Sequence, residues 1–149
     1  MDPAGRERLY HLLQTAAHRL KIRADRDSQK AGGVTAAQAA VMLVIARERG
    51  PTQRRVAEQL RLNESAVTGM VGRLIEAGHV ARSPNPVDQR AWILALTGKG
   101  QAALDGFRNR LELLNSEISA VLGGEAAVVR FAQALRALRD MPAGPDDEG

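Results

Sequence analysis

Residues Asn85–Gly100 read NPVDQRAWILALTGKG. The second half alternates before it turns helical: Trp92, Leu94 and Leu96 fall on one side of an extended segment. The first half is a proline-flanked loop carrying Asp88 and Arg90. The preceding segment, His79–Ser83, also has strand character. With Ala91–Leu96 it is predicted to form a hairpin whose loop is too long for a tight two-residue turn. An acid and a base two residues apart at a hairpin tip need a reason, and the segments on either side supply one.

Upstream, the pattern is helical. Arg6 to about Asp27 carries Leu9, Leu12, Leu13, Ala16 and Leu20 at helical spacing. KAGGV, Lys30–Val34, breaks it. Thr35 and Gln38 have capping-box spacing, and a helix with Ala40, Val41, Val44 and Ile45 inward is predicted to about Arg49. Gly50-Pro51 stops it. Thr52 then caps a short helix, Gln53–Leu60, burying Val56, Ala57 and Leu60. After Arg61-Leu62, Asn63 caps another to about Ala77, with a stripe of Ala66, Val67, Met70, Val71 and Leu74, and Gly78 ends it.

Downstream, a long helix starts at Thr97 or Gly98. Leu104, Phe107, Leu111, Leu114, Ile118 and Val121 recur along it at alternating spacings of three and four, a heptad-like seam. Gly123-Gly124 interrupts. A last helix from about Glu125 carries Val128, Phe131, Leu135 and Leu138 at similar spacing. The tail PAGPDDEG is rich in Pro, Gly and acid and is expected to be mobile.

Bulk composition narrows the function. The 149 residues suit one compact domain with helical extensions, and 44% are apolar. Tyr10, Trp92, Phe107 and Phe131 are the only aromatics, so the core must be aliphatic, which favours helices. Net charge is +4, and 18 of the 21 cations are Arg, the residue suited to phosphate. There is no Cys, which excludes disulfides, thiolate catalysis, Cys-based zinc sites and thiol redox sensing. No apolar run nears the ~18 residues of a membrane span and no signal peptide opens the chain, so a cytoplasmic protein is expected. No nucleophile–base pair, phosphate-cradling loop or metal set is evident. Neither an enzyme nor a cofactor is expected. His11 and His18 lie seven residues apart on the first helix, where a structural or solvated role is the simpler reading.

The order of elements, a helix, two short helices joined by a tight turn, then a hairpin, is that of a winged helix-turn-helix. The short helix Gln53–Leu60 would brace, the helix after Asn63 would enter a DNA major groove, and the hairpin would be the wing. The stretch from Val34 to Phe107 resembles the MarR family, the multiple antibiotic resistance regulators. The resemblance rests on the Thr35-x-x-Gln38 opening, VAEQL, LNESAVTGMVGRLIEAGHV and above all DQRAWILALTGKG, which fits that family's Asp-x-Arg wing followed by a Leu-Thr strand end. The expected class is mainly α. A winged helix-turn-helix DNA-binding lobe, residues 34–98, lies between a dimerisation helix, 1–33, and dimerisation helices with the acidic tail, 99–149.

A guanidinium fits a narrow minor groove, where negative potential is focused, so Arg90 is the candidate probe. Asp88 either holds a cation in pose, Arg90 or Arg73, or caps the loop. On the recognition helix Ser65, Thr68, Gly69 and Gly72 point outward with Arg73 at the edge, behind the cap Asn63. Ser65 and Thr68 can hydrogen-bond bases or phosphates. Each glycine costs about 1 kcal/mol of helix stability relative to Ala. Relatives often carry Arg where this chain has Gly69, and a polar residue where it has Gly72. Their loss implies either close backbone approach or weaker base readout, and Glu64 adds repulsion. Gln53, Arg54 and Arg55 open the bracing helix and can clamp a phosphate. Arg82 and Ser83 on the outgoing wing strand are comparably placed.

The resemblance implies a homodimer built by terminal helices. Its interface candidates are Leu9, Leu12, Leu13, Leu20, Leu111, Leu114, Ile118, Val128, Phe131, Leu135 and Leu138. Two-fold symmetry places two recognition helices about one DNA turn apart and predicts a palindromic duplex operator. The resemblance also implies a repressor released by a small aromatic or phenolic effector. The alternative is a winged-helix protein–protein module that has lost DNA binding, a reading kept open by Glu64, Gly69 and Gly72.

Overall fold

The structure, a computed structural model, describes residues 3–30 and 33–142. By packing the chain parts into two units, one running to Leu111 and one from Glu112. Among the described residues, six helices and a two-stranded sheet follow in the order α1 (Pro3–Lys30), α2 (Ala36–Arg47), α3 (Gln53–Leu60), α4 (Glu64–Glu76), β1 (Val80–Pro84), β2 (Trp92–Leu96), α5 (Gly98–Leu122) and α6 (Glu125–Arg139). Apart from Pro142, the predicted acidic tail lies outside the described residues.

Helix α1 is longer than its apolar stripe, and its C-terminal end is tied to α2. The Asp25 carboxylate accepts the Ala36 N–H at 2.7 Å, and the Gly33 N–H donates to the Ser28 carbonyl at 2.9 Å. The buried Ser28 hydroxyl donates to the Val34 carbonyl. A side chain on Gly33 would press on Ser28, its Cβ falling 2.8 Å from Oγ.

Both halves of the predicted capping box form at the start of α2. Thr35 Oγ1 accepts the Gln38 N–H at 3.2 Å, and Gln38 Oε1 accepts the Thr35 N–H at 3.0 Å. The inward face differs from the expected one. Ala39, Val41, Met42 and Ile45 are buried, while Ala40 and Val44 are only half-buried. The reason is that α2 is central: it packs against α1, α3, α4 and β2, so its burial follows no single stripe. In α4 the buried line is Val67, Val71 and Leu74, with Met70 partly covered and Ala66 exposed.

The turn between α3 and α4 is closed by backbone bonds from Leu62 N–H to the Ala57 carbonyl and from Arg61 N–H to the Glu58 carbonyl. Arg61 takes the left-handed conformation there, with φ of 52°. An L-residue with a Cβ pays about 1–2 kcal/mol for that geometry, which glycine avoids. Arg61→Gly is therefore expected to stabilise the fold by about 1 kcal/mol, raising the melting temperature by about 3 °C. A lower melting temperature in calorimetry would show that the Arg61 side chain stabilises the turn more than its backbone strains it.

The wing is an antiparallel pair in the register Val80↔Leu96 to Pro84↔Trp92. It is fixed to the lobe by Leu94, whose side chain is fully buried and whose N–H donates to the Pro51 carbonyl at 2.9 Å. At the wing's base three elements lock together. Thr97 Oγ1 donates to the Gly78 carbonyl at 2.6 Å and accepts the Gly100 N–H at 3.0 Å, capping α5. Lys99 Nζ donates to the Ala77 carbonyl at 2.8 Å, and Thr97 N–H to that of His79 at 3.0 Å.

Of the predicted seam on α5, Leu104 and Phe107 belong to the lobe's core, joining Met42, Leu74 and Leu94. Beyond them Leu111 is exposed, Leu114 and Ile118 are half-buried, and Val121 is 87% exposed, so the stripe ends at Ile118. In the second unit α6 buries no residue fully. Val128 is half-buried, while Phe131, Leu135 and Leu138 are exposed.

Candidate nucleic-acid interface

The first turns of α3 and α4 face the wing tip across an open groove of about 440 Å³. Thr52, Gln53, Arg54 and Glu64 line one side, and Asn85, Asp88, Arg90, Ala91 and Trp92 the other. Capping shapes the helix side. Thr52 Oγ1 accepts the Arg55 N–H at 3.2 Å, and Asn63 Oδ1 accepts the Ala66 N–H at 2.8 Å and the Ser65 hydroxyl at 3.0 Å. The Thr68 hydroxyl lies 2.9 Å from Gln53 Oε1 and 2.8 Å from the Glu64 carbonyl. It thereby joins α4 to the start of α3.

The wing tip is built from side-chain caps. Asn85 Oδ1 accepts the Val87 N–H at 3.0 Å, and Asp88 Oδ1 accepts the Arg90 N–H at 3.0 Å. The Asp88 and Asn85 backbones each bond to Ala91 at 3.0 Å, closing the loop. Asp88 thus holds Arg90 by its backbone, not its guanidinium. Of the two roles read from the sequence, the loop cap is the one observed, and no ion pair joins Asp88 to Arg90 or Arg73 among the described residues. Arg90 is exposed and lines the groove.

The other predicted cations divide. Arg55 is spoken for: its Nε lies 3.0 Å from Glu48, and its Nη1 3.8 Å from Glu58. Arg54 pairs with Glu58 at 3.2 Å yet remains 77% exposed and lines the groove. Arg73 is exposed, and its guanidinium passes 3.9 Å from where a Cβ on Gly69 would stand. Gly72 faces open space, and Ser83 is exposed. Arg82 lies over the Trp92 ring, 4.9 Å from its centroid. The groove itself carries two cations, Arg54 and Arg90, and two acids, Glu64 and Asp88.

Sequence reasoning overlooked Trp92 and Asn85. Alternation placed Trp92 on one side of the strand with Leu94 and Leu96, yet Leu94 is fully buried while Trp92 is 46% exposed. It sits where the hairpin opens, opposite Pro84, beyond the helices that cover Leu94. The Asn-Pro pair ahead of the loop was a readable turn signal for Asn85.

His79, at the wing's base, is buried and its Nδ1 has no partner among the described residues. Burial lowers its pKa, and the Lys99 charge lowers it further. A lowered folded-state pKa means the unfolded chain takes up the proton first, so stability is lost as pH falls below about 6.5. Urea midpoints at pH 7.5 and 5.5 test this. Wild type is expected to lose more over that interval than His79→Leu, and equal losses would sink the assignment.

The geometry can be set beside known proteins. The model of the MarR family matches residues 32–91, the helix-turn-helix and the wing tip. Over this stretch the chain matches the MarR family. A serine-for-cysteine mutant of MarR from E. coli, solved in complex with operator DNA, is 24% identical. The match covers 93% of this chain and 99% of that one, with a TM-score of 0.77. The PcaV transcriptional regulator from Streptomyces coelicolor, solved with its natural ligand, is 26% identical over 89% of this chain and 90% of its own, with a TM-score of 0.67. BpsR of Bordetella bronchiseptica, solved in work on regulation of its DNA binding by 6-hydroxynicotinic acid, is 24% identical over 89% and 93%, with a TM-score of 0.70. No curated protein matches the chain by sequence. The fold is thus the MarR-family winged helix. Among the described residues, no single helix is long and apolar enough to cross a membrane.

Proposed function

We propose that this MarR-family chain is a homodimeric, sequence-specific DNA-binding transcriptional repressor, released from a palindromic operator by a small aromatic or phenolic effector. The observation that carries the reading is the single groove shared by Arg90 at the wing tip and the first turns of α3 and α4. With α4 in the major groove, the wing tip would lie at the adjacent minor groove. Operator DNA in the MarR complex and the ligands of PcaV and BpsR support the two partner classes.

The dimer rests on apolar surface. Leu9, Leu12, Leu20, Leu111, Phe131, Leu135 and Leu138 are exposed on the single chain, and Leu13, Leu114, Ile118 and Val128 are half-covered. That much exposed aliphatic and aromatic surface calls for a covering partner, and a second copy is the one proposed. The division into terminal dimerisation segments and a central DNA-binding lobe belongs to the same proposal.

The second reading, a protein–protein module, is favoured by the balanced charge of the groove and by the bare Gly69–Gly72 face. One titration separates them. Duplex from upstream of the chain's own gene should bind with log K falling steeply against log salt, and an unrelated duplex should bind more weakly. Absence of salt-dependent binding would leave the protein–protein reading. Sedimentation at micromolar concentration should show a dimer, and a folded monomer would remove that part of the proposal.

A further inference from the structure

Trp92 is the chain's only tryptophan, and its placement is unusual for a large aromatic. It lies on the groove-lining strand, nearly half of it exposed, and the Arg82 guanidinium lies over its ring, 4.9 Å from the centroid. Arg82 is exposed and pairs with no carboxylate among the described residues, unlike Arg54 and Arg55, which are held by Glu58 and Glu48. The strand register explains the meeting. Arg82 pairs with Leu94 and Pro84 with Trp92, so Arg82 and Trp92 are diagonal neighbours across the hairpin. A planar guanidinium over an indole is attracted by the ring quadrupole while its edge N–H groups stay free to donate.

We infer that Trp92 is a positioning residue for DNA binding: it holds Arg82 flat against the wing so that the guanidinium edge meets a backbone phosphate. This rests on the DNA-binding reading above. The stack replaces a carboxylate, which would compete with phosphate for the same donors, by a neutral π-face, which does not.

The test is a double-mutant cycle on duplex affinity, read across a salt series, with melting curves to confirm folding. Two ring-less variants, Trp92→Leu and Trp92→Gln, guard against one that does not fold. Each should weaken binding about threefold or more and flatten the slope of log K against log salt by about 0.9, the value of one lost phosphate contact. Trp92→Phe keeps a π-face and should restore most of the slope. Arg82→Gln alone should show the same loss, and adding Trp92→Leu to it should cost nothing further. Losses that multiply independently, or a Trp92→Phe no better than Trp92→Leu, would overturn the inference. A wild type with no salt-dependent binding would instead remove the DNA reading beneath it. A separate arm needs no DNA. In the free protein, Arg82→Gln uncovers the ring, so acrylamide should quench Trp92 emission more strongly than in wild type. Unchanged quenching would mean that the stack does not form in solution.

Discussion

Among the described glycines, replacing Gly100 with alanine is expected to be the most damaging. A Cβ at that position would stand 1.9 Å from the His79 carbonyl oxygen and 2.8 Å from its carbon. Both obstacles are backbone, so no side-chain rotation relieves the overlap. Nor can the strand move aside easily. The same His79 carbonyl accepts the Thr97 N–H, and Thr97 and Lys99 bond the carbonyls of Gly78 and Ala77. Relief would require α5 to separate from the α4–β1 turn, exposing Leu104, which is fully buried. A loss of about 3 kcal/mol or more is expected, at the upper end of overpacking effects. Chemical denaturation checks it. Gly98→Ala serves as the control two residues earlier, where a Cβ meets nothing within 4 Å. Similar stabilities for the two variants would mean that the α5–β1 approach is looser than described.

Arg90→Ala is expected to cut operator affinity by about 1–3 kcal/mol, roughly 5- to 150-fold, and leave the melting temperature unchanged. The separation of effects follows from the loop's construction. Asp88 holds the backbone N–H of Arg90, and Asn85 and Ala91 close the loop, so the tip keeps its shape without the guanidinium. The side chain itself is exposed and unpaired among the described residues. A fluorescence-anisotropy titration against the operator duplex is the measurement. Unchanged affinity would show that the wing does not reach DNA. Asp88→Ala offers the complementary experiment. It removes the cap while keeping the charge of Arg90, so a loss of affinity there would reflect a guanidinium no longer aimed.

Local chemistry and its periodicity were legible from residues alone. The Thr35–Gln38 box and the Thr52 and Asn63 caps involve partners a few residues apart, and each forms as read; the hairpin forms with its first strand at Val80–Pro84 where His79–Ser83 was expected, and α2 ends at Arg47, ahead of the Gly50-Pro51 stop. What failed to show was anything decided by neighbours distant in sequence. Burial on α2 spreads beyond one stripe because four elements surround it. Leu104 and Phe107 leave the heptad seam for the lobe's core because α5 starts against the α4–β1 turn. Arg55 turns to Glu48, and Arg82 to Trp92, through contacts that no local rule encodes.

By itself, then, the order of residues determined the succession of helices and strands and placed their ends to within a few positions, since capping and turn chemistry act over three or four residues. It also marked the wing's Asp88–Arg90 pair. Only the tertiary structure decided which cations are free and which are bound to a carboxylate, which glycine admits no side chain, and where the exposed tryptophan stands. Those outcomes depend on distances between segments far apart along the chain, and packing sets such distances only after every element is in place.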